Sequence, residues 1–145
     1  MAAGKADIWA SSRPVKPQEA EQFRARADLT APESEHVIAI DGLAILVHPS
    51  NPVSKMSIET LGRVFSGQIR NWSELGGPDR PIHLYARDDR SGTWDTFKSL
   101  VLGKQFELDS NARRYESNDP LSDDVSKEPS GIGFPGLAPV RDRAP

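Results

Sequence analysis

Apolar residues along this chain recur with two rhythms, about 3.6 residues for helix and about two for strand, and each switch between them marks a new element. Ala6 to Ala10 reads as a short buried strand, broken by Pro14 and Pro17. Pro17 suits the first turn of a helix, and Ala20, Phe23 and Ala27 recur at helical spacing between Glu19 and Ala27. Asp28 to Glu35 reads as a loop. His36 to His48 has the strongest strand character, being rich in Val, Ile and Leu and interrupted by the turn signal Asp41-Gly42.

Beyond Pro49-Ser50-Asn51-Pro52 the helical rhythm returns. Ser57 stands where a helix N-cap belongs, Ile58, Leu61, Val64 and Phe65 share a face, and Gly67 closes the helix. Trp72 to Pro81 is a loop, and Ile82 to Ala86 a strand. Trp94, Phe97, Leu100 and Val101 then form a helical stripe ended by Gly103. Arg113 to Glu116 reads as a short strand, Asn118 to Lys127 as a helix capped by Asn118, and Ile132 to Phe134 as a last strand. Strands alternating with helices predict an α/β fold, a mostly parallel sheet flanked by helices.

Composition narrows the function. The 145 residues are 37% hydrophobic and 27% charged with net charge −3, a globular composition with no basic excess for a nucleic-acid backbone. There is no Cys, which removes disulfides, thiolate metal sites and thiol catalysis together. The longest apolar stretch, Gly42 to Val47, falls far short of the roughly 20 residues of a membrane span, so no direct membrane insertion is expected. Met1 to Asp7 has no apolar core and does not read as a signal peptide. The abrupt entry at Lys5 to Trp9 and the stop after Arg141 suggest a piece of a longer protein.

Chemistry concentrates in Arg87 to Thr93, where a strand ends, a Ser-Gly-Thr turn follows and a helix begins. The first N–H groups of a helix have no internal partner and carry the positive end of its dipole, so an anion can collect them. Gly92 lets a ligand come close to the backbone, Ser91 and Thr93 add hydroxyl donors, and Arg87 offers a fork matched to phosphate or carboxylate. Asp89 is placed to hold that fork by a salt bridge. A plainer arrangement uses the same residues, with Ser91 only capping the helix and the charges solvated. Asp7, in a short apolar segment, reads either as a ligand-facing carboxylate or as an ordinary surface Asp.

Other chemistries find little support. His36, His48 and His83 have no metal-ligand spacing, and the pairs Asp88-Asp89 and Asp123-Asp124 diverge rather than converge. Ser91 lacks a nucleophile elbow, and the Gly-x4-Gly-Lys-Ser/Thr phosphate loop is missing. No catalytic residue, cofactor or metal is expected.

The stretches Ala6 to Arg13, Asp41 to Ala44, Val64 to Trp72, Ala86 to Thr93 and Gly131 to Phe134 resemble, in order and spacing, the phosphate-binding protein of ABC-type phosphate transporters. The resemblance runs over nearly the whole chain. It implies one lobe of a type II periplasmic-binding-protein-like fold, with residues 1–35 a remnant of the first lobe, 36–140 the second lobe with its connecting hinge strands, and 141–145 a C-terminal tail. It implies Arg87, Ser91, Gly92 and Thr93 as ligands of hydrogen phosphate, Asp89 as the brace of Arg87, and Asp7 as acceptor of the ligand's proton. Sulfate carries no such proton and would face Asp7 unpaired. The implied partners are inorganic phosphate and a membrane permease, in a periplasmic or extracytoplasmic setting. Complete members carry further first-lobe residues ahead of those matched here, and often a small residue at the position of Arg90, so this chain is expected to differ at the cleft rim. The alternatives are an anion-binding signalling or structural module without transport, and a phosphoryl-processing domain. The latter needs a base or metal, for which only Asp7 and Asp89 are candidates.

Overall fold

The computed structural model describes residues 8, 10–11, 14–38 and 42–137. The chain divides into two compact units, Met1–Ile40 and Asp41–Pro145.

In the first unit the helical rhythm makes α1, Pro17–Phe23. Pro17 opens it, and the Glu19 carboxylate accepts the Lys16 amide at 2.9 Å. The helix stops short of the predicted Ala27, passing into a turn at residues 24–26. None of its residues is buried. The predicted loop that follows contains one turn of 3-10 helix, Pro32–Ser34. Of the strand predicted over Ala6 to Ala10, Ile8 and Ala10 are described. Neither is in a strand, and Ile8 is 87% exposed.

The second unit is built on a four-stranded sheet. Its strands are β1 (Leu46–Val47), β2 (His83–Arg87), β3 (Arg113–Tyr115) and β4 (Gly131–Gly133), in the spatial order β1-β4-β2-β3. β2 runs parallel to both β3 and β4, and β1 is antiparallel to β4. The predicted mostly parallel sheet is therefore present, with one antiparallel edge. Among the described residues of the strand predicted from His36 to His48, only β1 and a bridge between Leu43 and Gly136 are present, and residues 39–41 lie outside the described residues. Val37 and Ile38 belong to no strand and are 74% and 93% exposed. β-branched residues favour a strand only where a neighbouring backbone supplies hydrogen bonds and side-chain contacts. Here that neighbour is the stretch from Ile132 to Leu137, which pairs with residues 42–47.

Helices cover both faces. On one lie α2 (Ile58–Phe65) and α3 (Gly92–Phe97). Ser57 caps α2 as predicted, its hydroxyl accepting the Thr60 amide at 3.1 Å. Leu61, Val64 and Phe65 turn inward, whereas Ile58, in the first turn, stays exposed. They meet Phe97 and Phe134, whose rings stack with centroids 3.8 Å apart while Phe65 approaches edge-on at 4.8 and 5.4 Å. Trp72, fully buried beside them, donates its indole N–H to the Ser130 carbonyl at 3.0 Å. After Phe97 the helix widens into a π turn, Lys98–Leu102. The Gly103 amide reaches back five residues to the Lys98 carbonyl at 2.8 Å. That extra residue per turn shifts the predicted stripe, so Leu100 faces solvent and Leu102 enters the core.

On the other face α4 (Asn118–Lys127) packs Leu121 and Val125 against Tyr85 and Tyr115. The approach is close: a Cβ at Gly133 would lie 2.8 Å from Leu121 Cδ2 and 2.9 Å from Val125 Cγ2, so those side chains would have to move. The Tyr115 hydroxyl donates to Asp124 at 2.6 Å, and burial together with that bond pushes its phenol well above the ordinary range.

Candidate functional site

β2 delivers Arg87 to its carboxyl end, in register with Tyr115 of β3. The chain turns through Asp89 and Arg90, the Ser91 amide donates to the Asp88 carbonyl at 3.1 Å, and α3 starts at Gly92. The predicted strand-turn-helix unit is thus in place.

Arg87 is half-buried, and its guanidinium is held by three neutral acceptors. Nε donates to the Tyr115 carbonyl at 3.3 Å, one Nη donates to the Glu116 carbonyl at 2.8 Å, and the other donates to Asn118 Oδ1. Among the described residues no carboxylate forms an ion pair with it. Burial pulls its ionisation below the ordinary value, and the charge of Asp88 pushes back. The Asp88 carboxylate is shared with Arg90, which also reaches Glu116 at 2.8 Å and lies along the exposed rim.

Asp89, expected to brace Arg87, does something else. Its carboxylate pairs with Arg114 of β3, whose guanidinium lies 4.2 Å above the Trp94 ring. The correction has a simple cause. Three N–H groups of Arg87 are taken by two backbone carbonyls and the Asn118 side chain, while Arg114 lies over Trp94 within reach of the turn.

Ser91 stands at the N-cap of α3 and is 8% exposed, yet its side chain makes no capping hydrogen bond. The reading in which Ser91 only caps the helix therefore does not describe it. The first helical bond runs from the Asp95 amide to the Ser91 carbonyl at 3.1 Å. The amides of Gly92, Thr93 and Trp94 precede it, and no acceptor among the described residues takes them. Gly92 and Thr93 are half-buried, and the Gly92 carbonyl accepts the Thr96 hydroxyl at 3.0 Å. Asp7 lies outside the described residues. No group of three or more His, Asp or Glu among the described residues is arranged to hold a metal.

Sequence reasoning missed Asn118. It was expected to cap α4, but Ser117 occupies that position, and Asn118 Oδ1 instead accepts from Arg87 and from the Gly136 amide at 3.2 Å. An Asn at a helix start signals a cap, and nothing in the linear sequence points to a partner 31 residues upstream.

Comparison with known proteins shows the family. A PBP superfamily domain matches residues 1–143. The chain belongs to that superfamily. Among PBP relatives it is 32% identical over 121 residues to the phosphate-binding protein PstS of Borreliella burgdorferi, covering 76% of this chain and 43% of that protein. The solved ABC-type phosphate transport receptor of Vibrio cholerae shares 34% identity at a TM-score of 0.63, over 67% of this chain and 41% of its own. PstS from Borrelia burgdorferi superposes with a TM-score of 0.68 and 28% identity, over 91% and 51% of the two chains. The chain thus spans about two fifths of the length of the curated relatives it matches. The PBP relationship agrees with the α/β sheet and with the expected resemblance. Among the described residues no helix is long and apolar enough to cross a membrane.

Proposed function

We propose that this chain is the anion-gripping lobe of a substrate-binding protein for inorganic phosphate, serving an ABC-type uptake system. In this reading Arg87, Ser91, Gly92 and Thr93 hold hydrogen phosphate at the start of α3. The observation that carries it is the state of Arg87: a half-buried cation held by three neutral acceptors, with no carboxylate paired to it among the described residues. An interior charge without a counter-ion is costly, and an anionic ligand removes that cost. The Ser91 hydroxyl and the amides of Gly92, Thr93 and Trp94, which have no partner among the described residues, supply the neutral donors that such a ligand needs. The names of the PBP relatives point to the same anion.

The rest of the reading follows from the family resemblance. Asp7 accepts the proton of hydrogen phosphate and discriminates against sulfate. Residues 1–35 belong to the first lobe and 36–140 to the second. A membrane permease receives the ligand, and the setting is extracytoplasmic. The protein binds and releases its ligand without chemical change.

Calorimetric titration of the complete two-lobed protein, wild type and variants, with phosphate and with sulfate tests the proposal. Arg87→Ala removes a charge-assisted contact and is expected to weaken phosphate binding by roughly ten- to a hundredfold. Unchanged affinity would remove Arg87 from the site. Asp7→Asn is expected to narrow the preference for phosphate over sulfate, because an amide can donate to either anion. Undiminished discrimination would remove Asp7 from its assigned role.

A further inference from the structure

Arginine carries five N–H donors on one rigid plane, and a two-pronged grip on an anion depends on where that plane points. Three of the five are spent inside the protein, leaving two. Of the three acceptors, two are carbonyls of Tyr115 and Glu116, which no substitution of side chain removes. The third is the side chain of Asn118. Its oxygen also takes the Gly136 amide, in the residue that bridges Leu43. One amide oxygen therefore ties the end of β2 and the start of α4 to the antiparallel pair of segments around Leu43 and Gly136.

We infer that Asn118 is a positioning residue for the anion site, locking the Arg87 guanidinium in its binding orientation while leaving its charge intact. This rests on the phosphate reading above and assigns that site a part outside the Arg87 to Thr93 motif. The chemistry of the acceptor matters. A carboxylate at this place would hold the guanidinium equally well but would neutralise the charge an anion needs. The nearby carboxylates are engaged elsewhere, Asp89 with Arg114 and Asp88 with Arg90. Asn offers the same acceptor geometry without the charge, and it sits, half-buried, at the first position of α4, where its low helix propensity matters little.

The test uses the whole chain and two readouts. In nitrogen-correlated proton NMR without added anion, the Arg87 Nη protons should be resolved, because their hydrogen bonds slow rotation about the Cζ–Nη bonds. Asn118→Leu keeps the volume and removes the acceptor. It is expected to average those signals, to speed hydrogen exchange at the Gly136 amide, and to raise the dissociation constant for inorganic phosphate about tenfold, as loss of an orienting partner does at metal sites. Asn118→Asp should restore the slow Arg87 signals yet bind phosphate more weakly than the wild type, separating orientation from charge. If the Leu variant does not fold, Asn118→Ser, which suits a helix start but is too short to reach Arg87, serves in its place. Resolved Arg87 signals in the Leu or Ser variant, with phosphate affinity within about twofold of wild type, would overturn the inference. A complete two-lobed protein that binds no phosphate would overturn the anion reading instead, and the Arg87 signals alone would then decide whether Asn118 holds the guanidinium.

Discussion

α1 and α2 are of similar length and both were legible as amphipathic helices, yet they end in opposite circumstances. α1 buries no residue, and Phe23 is only half-covered. α2 buries Leu61, Val64 and Phe65 against Phe97 and Phe134. The same contrast separates Val37 and Ile38, exposed in the first unit, from Leu46 and Val47, paired with β4 in the second. Periodicity states which face a segment would bury. Whether it buries anything depends on an opposing surface, and most helical stability in proteins comes from that packing rather than from propensity.

The largest expected effect sets the two helices directly against each other. Phe65→Ala should cost about 3–5 kcal/mol, the range for a buried Phe that leaves a cavity. Phe23→Ala should cost less than about 1 kcal/mol. Chemical denaturation of both variants measures the difference, and equal losses would show that α1 is packed as firmly as α2. Gly133→Ala comes next. Its Cβ would press on the Leu121 and Val125 side chains, which must shift, at an expected cost of about 1–3 kcal/mol in a thermal melt. Unchanged stability would mean that α4 rides loosely on the sheet.

How far the sequence was readable follows the same line. α2, the β2 strand, the helix after Ser91 and α4 were predicted within a few residues, because each combines a clear period with a cap or breaker of local origin. The strand over His36 to His48 was over-read, since its Val and Ile residues announce strand propensity but not a partner. The outward turn of Leu100 needs the π turn, which no residue between Lys98 and Leu102 announces. At the site, the motif from Arg87 to Thr93 was visible because its residues are contiguous. The pairing of Asp89 with Arg114 and of Arg87 with Asn118 was not, because these contacts join the end of β2 and the turn after it to chain more than 20 residues away, and long-range contacts leave no local trace.

Smaller effects sharpen the comparison. Ser57→Ala should cost α2 about 1 kcal/mol by removing the acceptor for the Thr60 amide, a loss that thermal melting detects. The smallest concerns two carboxylates that accept hydrogen bonds from their own loops. Asp28 is lowered mainly by the Thr30 hydroxyl, and Glu128 mainly by the Ser130 amide with help from His83. Each contributes stability that is present above the ordinary carboxylate pKa and is lost as pH falls through the lowered folded value. Glu128 has a partner on β2, with His83 Nδ1 3.6 Å away, whereas Asp28 draws a smaller contribution from Arg24 at the end of α1. His83→Ala should therefore raise the Glu128 midpoint in an NMR titration and leave Asp28 unmoved. A shift at Asp28 would reveal coupling that its local hydrogen bonds do not supply.

The order β1-β4-β2-β3 leaves β1 and β3 at the margins of the described sheet, and the two margins are blunted by different means. β1 offers only two residues of strand. β3 offers three, of which two are Arg113 and Arg114, one drawn to Asp124 at 3.0 Å and the other to Asp89. A foreign strand approaching β3 must strip water from two guanidinium groups to gain a few backbone hydrogen bonds, and one approaching β1 finds almost nothing to zip onto. The pairing of Arg114 with Asp89, beside the proposed anion site, thus also guards the sheet against self-association, so that replacing Arg113 and Arg114 with Val would be felt first as aggregation on concentration.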